Sequence, residues 1–128
     1  MDFLERLVDE INSNNELAVE CSIGYLEKSQ SFVIYPMAGS RVINEFYDGI
    51  KDQALNYQFA FKSKDQQLTN EVLWKVHKIV ESIETLESVD GSFKFDEIRI
   101  IDTPFINQFD ETGYFVFLLT IQAKITTF

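Results

Sequence analysis

The sequence predicts an α+β domain, a small antiparallel or mixed β-sheet packed against one long central helix, with a short N-terminal helix. Three observations carry this expectation. Leu55, Tyr57, Phe59 and Phe61 alternate with Asn56, Gln58, Ala60 and Lys62, which is the period of a half-buried strand. After Lys62-Ser63-Lys64-Asp65 the apolar spacing becomes helical and holds as far as Leu86. Beyond Gly91 two further apolar segments return to strand spacing, separated by the turn sequence Asp110-Glu111-Thr112-Gly113. With 128 residues, 45% hydrophobic content, twelve Phe and five Tyr, the chain suits one domain, 1–128, around one core.

The elements follow in order. Phe3, Leu4, Leu7, Val8 and Ile11 have helical spacing, with Asp2 placed to cap the start and Asn12-Ser13-Asn14-Asn15 to end it. Between Leu17 and Tyr25 a short strand through Ala18-Val19-Glu20-Cys21 is one reading. Ser31 to Tyr35 is a strand stopped by Pro36, and Met37-Ala38-Gly39-Ser40 is a turn. Arg41 to Tyr47 is a strand. Asp48-Gly49 signals a turn, and a connection longer than a tight hairpin leads to the strand Ala54 to Lys62.

The long helix starts at either Ser63, in a Ser-x-x-Gln capping box, or Asp65, the favoured cap. Leu68, Val72, Val76, Ile79, Ile83 and Leu86 form its core stripe, while Trp74, His77 and Glu81 lie on a flank. Some 21 residues would make it ~30 Å long, enough to cross a small sheet. Phe93 to Ile101 is a strand, interrupted at Thr103-Pro104 and extended from Phe105 to Phe109. Tyr114 to Ile125 is the longest strand. One of its faces is wholly apolar, and the other turns polar from Thr120 onward, so its first half is expected to be covered on both sides.

Charge and composition exclude several functions. The net charge is −10, from 21 acidic and 11 basic residues. That disfavours nonspecific nucleic-acid binding and docking on an anionic membrane. A lone Cys21 allows no intrachain disulfide and points to a reducing compartment. The start Met-Asp-Phe-Leu-Glu-Arg does not resemble a signal peptide, and no apolar run reaches the ~20 residues of a membrane span.

Catalytic patterns are missing. The single histidine, His77, reads as a structural side chain, and Cys21 as buried and inert. No phosphate loop, nucleophile elbow or zinc-protease motif occurs. The pairs Asp96-Glu97 and Asp110-Glu111 read as solvated acids rather than metal ligands. No cofactor and no enzymatic activity are expected. Tyr35, Phe46, Tyr47, Trp74 and Phe105 place large apolar groups near element ends, where interfaces are enriched in them, and they are candidate interface residues. A small sheet covered by one helix also leaves a second face and two edges to be managed.

The order of elements, with Tyr35-Pro36, Asp48-Gly49, Tyr57-Gln58-Phe59-Ala60-Phe61 and the strand-to-helix joint at Lys62-Ser63-Lys64-Asp65, resembles the minor capsid or tail terminator proteins of long-tailed bacteriophages and prophages. The resemblance covers most of the chain. It implies a virion structural protein at the head–tail junction, assembled in the host cytoplasm. There it would form a ring, usually hexameric, that caps the tail tube. Its implied partners are further copies of itself, the tail tube protein and the head–tail connector proteins, with no membrane. DNA would pass through without specific binding. An acidic ring lumen suits such passage, and Asp48, Asp52, Asp110 and Glu111, read as loop acids, are candidate lumen residues. A different reading is an acidic inhibitor or immunity-type module that masks a basic protein. It predicts a salt-sensitive one-to-one complex instead of self-assembly.

Overall fold

The computed structural model describes residues 2–14, 17, 19–109 and 112–128. Along the chain these form α1 (Phe3–Asn12), β1 (Ser22–Ile23), β2 (Ser31–Pro36), β3 (Arg41–Glu45), β4 (Lys51–Ser63), α2 (Gln66–Ser82), β5 (Phe93–Phe109) and β6 (Phe115–Thr127). The expectation of a sheet organised around one long central helix is corrected. The fold is mostly β, with 46% of the described residues in one six-stranded sheet, and the two helices are modest, at 10 and 17 residues.

The second helix stops early for a local reason. Ile83 already has extended backbone (φ −71°, ψ 117°), and the Ser82 hydroxyl donates to the Ile79 carbonyl at 2.7 Å, satisfying one of the last free acceptors. Leu86 keeps the helical spacing in sequence and is buried, but it reaches the core from an extended segment that bridges to β5 through Glu87 and Lys94. The start of α2 is as expected. Asp65 caps it, its carboxylate accepting from the Leu68 amide at 3.1 Å. Ser63 is not the cap. Its buried hydroxyl donates to Gln30 Oε1 at 2.9 Å and accepts from the Asp65 amide at 3.1 Å. Lys62 and Lys64 flank the Tyr114 ring at 4.9 and 5.2 Å, so the Lys-Ser-Lys-Asp joint works as a structural clamp.

The sheet runs β1-β2-β4-β6-β5, with β3 also on β4. Every pairing is antiparallel except the two-residue β1, which lies parallel to β2. That strand begins at Ser22, after the expected Val19–Cys21 stretch; Ala18 lies outside the described residues. Strand β4 pairs with β6 along its whole length, from Lys51 against Thr127 to Ser63 against Phe115. Its other edge is shared end to end by two strands. Arg41–Glu45 takes the first part and Ser31–Pro36 the last.

Asn56 stitches the gap between those two strands. The Met37 amide donates to its carbonyl at 2.8 Å, its own amide donates to Ser40 Oγ at 2.9 Å, and its Nδ2 donates to the Ala38 carbonyl at 3.2 Å. Gly39 crosses here with φ +97°, and a Cβ on it would lie 2.6 Å from Asn56 Nδ2, so only glycine fits. The edge strand β5 is continuous through Thr103-Pro104, with register shifts flanking Ile101 and the Thr103–Pro104 pair where the sequence signalled an interruption.

One face of the sheet holds the main core. Phe59, Phe61, Leu119, Ile121 and Ile125 meet Phe3, Leu7 and Ile11 of α1 and Val72, Leu73 and Val76 of α2. On the other face Val33, Ala60, Val116 and Leu118 form a smaller cluster beneath Leu26 and Tyr35. The first half of β6 is therefore buried on both sides, as its alternation predicted.

Asp2 departs from its expected role. It makes no side-chain capping bond to α1. Its carboxylate instead accepts from the Ser88 hydroxyl at 2.6 Å, the Val89 amide at 2.8 Å and the Ser92 hydroxyl at 3.2 Å, latching the N-terminus to the α2–β5 connection. Asp90 joins the latch through the Ser92 amide at 2.9 Å and the Ser88 hydroxyl at 2.8 Å. Desolvation pushes the Asp2 carboxyl up, but the Ser88 and Val89 bonds outweigh it and hold it below its usual range. Bonds from Ser92 and Ser88 hold Asp90 well below its usual range.

Two predictions follow from this architecture. Asn56→Ala should leave the core folded but speed amide hydrogen exchange in β3, because the junction loses its side-chain bonds at a cost of about 1–3 kcal/mol. Unchanged exchange at Val42 and Asn44 would contradict this. The depressed carboxylates favour the folded state above about pH 4, and that contribution disappears as pH falls through their folded-state pKa values. Between about pH 5 and about pH 2 the melting temperature should therefore fall more steeply for the native protein than for Asp2→Asn/Asp90→Asn. Equal slopes would show that the latch carries no stability.

Candidate assembly surfaces

The β3–β4 hairpin is the most solvent-exposed part of the sheet. It forms because Gly49 adopts φ +87°, the Ile50 amide donates to Asp48 Oδ1 at 3.2 Å, and the Phe46 amide donates to the Ile50 carbonyl at 2.9 Å. Strand β3 ends at Glu45, two residues short of the expected Tyr47, so Phe46 and Tyr47 belong to the turn. All of β3 is exposed, including Val42 and Ile43. Phe46 is half-exposed, and Tyr47 projects fully into solvent. The arm thus gathers exposed apolar side chains in one place.

The other candidate interface residues lie elsewhere. Phe105 sits with Ile101 and Ile106 on the outer strand β5, all three exposed. Trp74 is exposed on the outer side of α2, with its ring 5.1 Å from His77, whose Nδ1 lies 2.8 Å from Glu81. Tyr35 is committed within the fold. Its hydroxyl donates to Gln58 Oε1 at 2.6 Å and its ring stacks on Tyr25 at 5.4 Å, while burial, with Tyr25 nearby, pushes its pKa up. Phe46 and Tyr47 are thus brought together, and Phe105, Trp74 and Tyr35 occupy three further places.

Beside Phe105, an open groove of ≈ 930 Å³ runs between the start of α2 and the β5–β6 pair. Lys64, Gln67 and Asn70 form one wall, and Ile106, Phe115 and Phe117 the other. Sequence reasoning missed it, because it depends on the angle at which α2 leaves β4.

The second face of the sheet, away from the helices, carries a cross-strand polar network. Gln58 Nε2 donates to Thr120 Oγ1 at 3.2 Å, continuing the row that starts at Tyr35. Gln122 Nε2 donates to Asn56 Oδ1, and Arg99 Nη2 to Gln122 Oε1, both at 2.9 Å. Thr126 Oγ1 lies 2.8 Å from Asp52 Oδ1 and 3.2 Å from Asp96 Oδ2, and Lys124 Nζ is 3.2 Å from Glu97 Oε1. Apart from the Asp96 contact, which comes from a bulge in β5, each row joins strand neighbours in register, so the signal was present in the alternation of β4 and β6 but invisible without their pairing.

Among the candidate lumen acids, Asp48 is at the hairpin apex. Asp52, expected in a loop, lies within β4 on this polar face. Asp110 and Glu111 lie outside the described residues.

Among the described residues, no group of three or more His, Cys, Asp or Glu side chains is placed to hold a metal ion. No helix there is long and apolar enough to cross a membrane. Burial pushes the Cys21 thiol up to about 12, which keeps it protonated and unreactive at neutral pH. Its backbone is held by Asn12, whose side chain accepts from the Cys21 amide at 2.8 Å and donates to its carbonyl at 2.9 Å.

No curated protein is similar enough to the chain to count as a match. A family model described as bacteriophage tail terminator protein matches residues 10–127, which is nearly the whole fold. The chain belongs to the bacteriophage tail terminator family, which makes it a component of the phage virion.

Proposed function

We propose that this protein assembles into a ring, most simply of six copies, that caps the finished tail tube and forms its joint to the head. The family match over 10–127, taken with apolar side chains exposed on opposite edges of one sheet, carries this reading. An edge-to-edge contact between unlike surfaces repeats by rotation, and where that rotation closes it makes a ring. The partners are other copies of the chain, the tail tube protein and the head–tail connectors, met in the host cytoplasm during assembly. The role is structural rather than catalytic.

The polar second face suits the lumen. It carries Asp52, Asp96 and Glu97; of its cations, Arg99 binds Gln122 and Lys124 binds Glu97, while Lys94 and Arg41, opposite Thr126 and Ala54, share the face. A ring of six multiplies the charge of −10 sixfold, so DNA would slide past without being held.

Phe46→Asp and Phe105→Asp place a charge on each exposed edge without touching the buried core. Each variant should sediment as a folded monomer under conditions where the native protein assembles. Normal assembly by both variants would remove these edges from the interface.

A further inference from the structure

We propose that the tip of the β3–β4 hairpin of one copy docks in the groove between α2 and the β5–β6 pair of the next copy. This inference rests on the ring reading above and specifies its contact.

Three observations carry it. First, the tip has exposed aromatic side chains and the groove has an apolar wall. Phe46 and Tyr47 project from the turn, and Ile106, Phe115 and Phe117 line the groove, whose ≈ 930 Å³ is ample for two aromatic rings. Second, Asp48 at the apex of the turn would meet Lys64 at the groove rim; the start of α2 beside it is already capped by Asp65, which also lines the groove, so Lys64 is the group that offers the attraction. Third, a chain's own tip is out of reach of its own groove. The tip follows Glu45, which pairs with Lys51 opposite Thr127, whereas the groove lies where Ser63 pairs with Phe115 and Ile106 with Phe117. These places are at opposite ends of the β4–β6 pair, about 30–40 Å apart along the strands. They are also on opposite sides of the sheet, since β3 borders β4 and β5 is the outermost strand beyond β6. Only a second copy can bring tip and groove together. Because tip and groove are different surfaces, each copy offers one of each, which is what a closed ring requires.

The test replaces Tyr47 with the photoreactive aromatic p-benzoylphenylalanine, which keeps a ring at the tip. Isotopically heavy and light copies are mixed, assembled with tail tubes present and irradiated, and the joined peptides are mapped by mass spectrometry. The expected crosslinks join Tyr47 of one isotope to residues 64–70, Ile106, Phe115 or Phe117 of the other. Lys64→Glu should weaken association by about tenfold while circular dichroism shows the monomer still folded. Assembled rings whose Tyr47 crosslinks fall elsewhere would overturn the docking inference and leave the ring reading intact. A protein that stays monomeric even beside tail tubes would overturn both. Crosslinks at the groove within a two-copy particle would uphold the docking and refute the ring.

Discussion

Strand β4 is the constraint on which the rest of the structure depends. It carries 13 residues, is paired along its full length with β6, and on its other edge serves two strands in succession. A central strand served this way fixes three things together. It aligns the apolar faces of β4 and β6 into one core surface for both helices. It sets the polar residues of the same strands side by side on the opposite face. At its Lys51 end it still pairs with β6 and with Glu45 of β3, so the turn that follows Glu45 carries the hairpin tip beyond the last paired row of the sheet.

The two faces differ in how they meet water. The helix-covered face buries aromatic and aliphatic groups, and burial of such groups is the dominant favourable term in folding. The opposite face is apolar only where the segment around Leu26 covers it; beyond that its side chains satisfy one another by hydrogen bonds across strands. That face therefore does not require a covering partner. Exposed apolar side chains gather at the hairpin and along β5, with Trp74 on α2 and Tyr25 elsewhere, and the ring proposed above would make its contacts at the two sheet edges. The bulges and Pro104 in β5 interrupt the edge ladder enough to discourage indiscriminate strand pairing.

Much of this was legible in the sequence where local chemistry decides the outcome. The Asp65 cap, the Asp48-Gly49 turn, the alternation of β4 and the half-covered β6 are all set by residues within a few positions of one another. The misreadings have two causes. Ile83 and Leu86 keep helical spacing, yet α2 ends locally, with Ile83 already extended and the Ser82 hydroxyl on the Ile79 carbonyl. The others come from partners distant along the chain. Asp2 looks like a cap, but Ser88, Val89 and Ser92 claim its carboxylate from the far side of the chain. Asp52 reads as a loop acid until its pairing with Thr126 places it inside the sheet. Tyr35 looks like an interface residue until Gln58 and Tyr25 engage it. The resemblance to tail terminators rested on element order and on the Lys62–Asp65 joint, both of which the fold preserves.

The central claim is that this fold is a subunit of a ring. Its most direct test is the solution mass by light scattering across protein concentration, with negative-stain images of the largest species, repeated in the presence of tail tubes. The account predicts a discrete closed ring of about six copies, free in solution or seated on tube ends. A one-to-one complex with a basic protein, with no self-associated species under either condition, would contradict it.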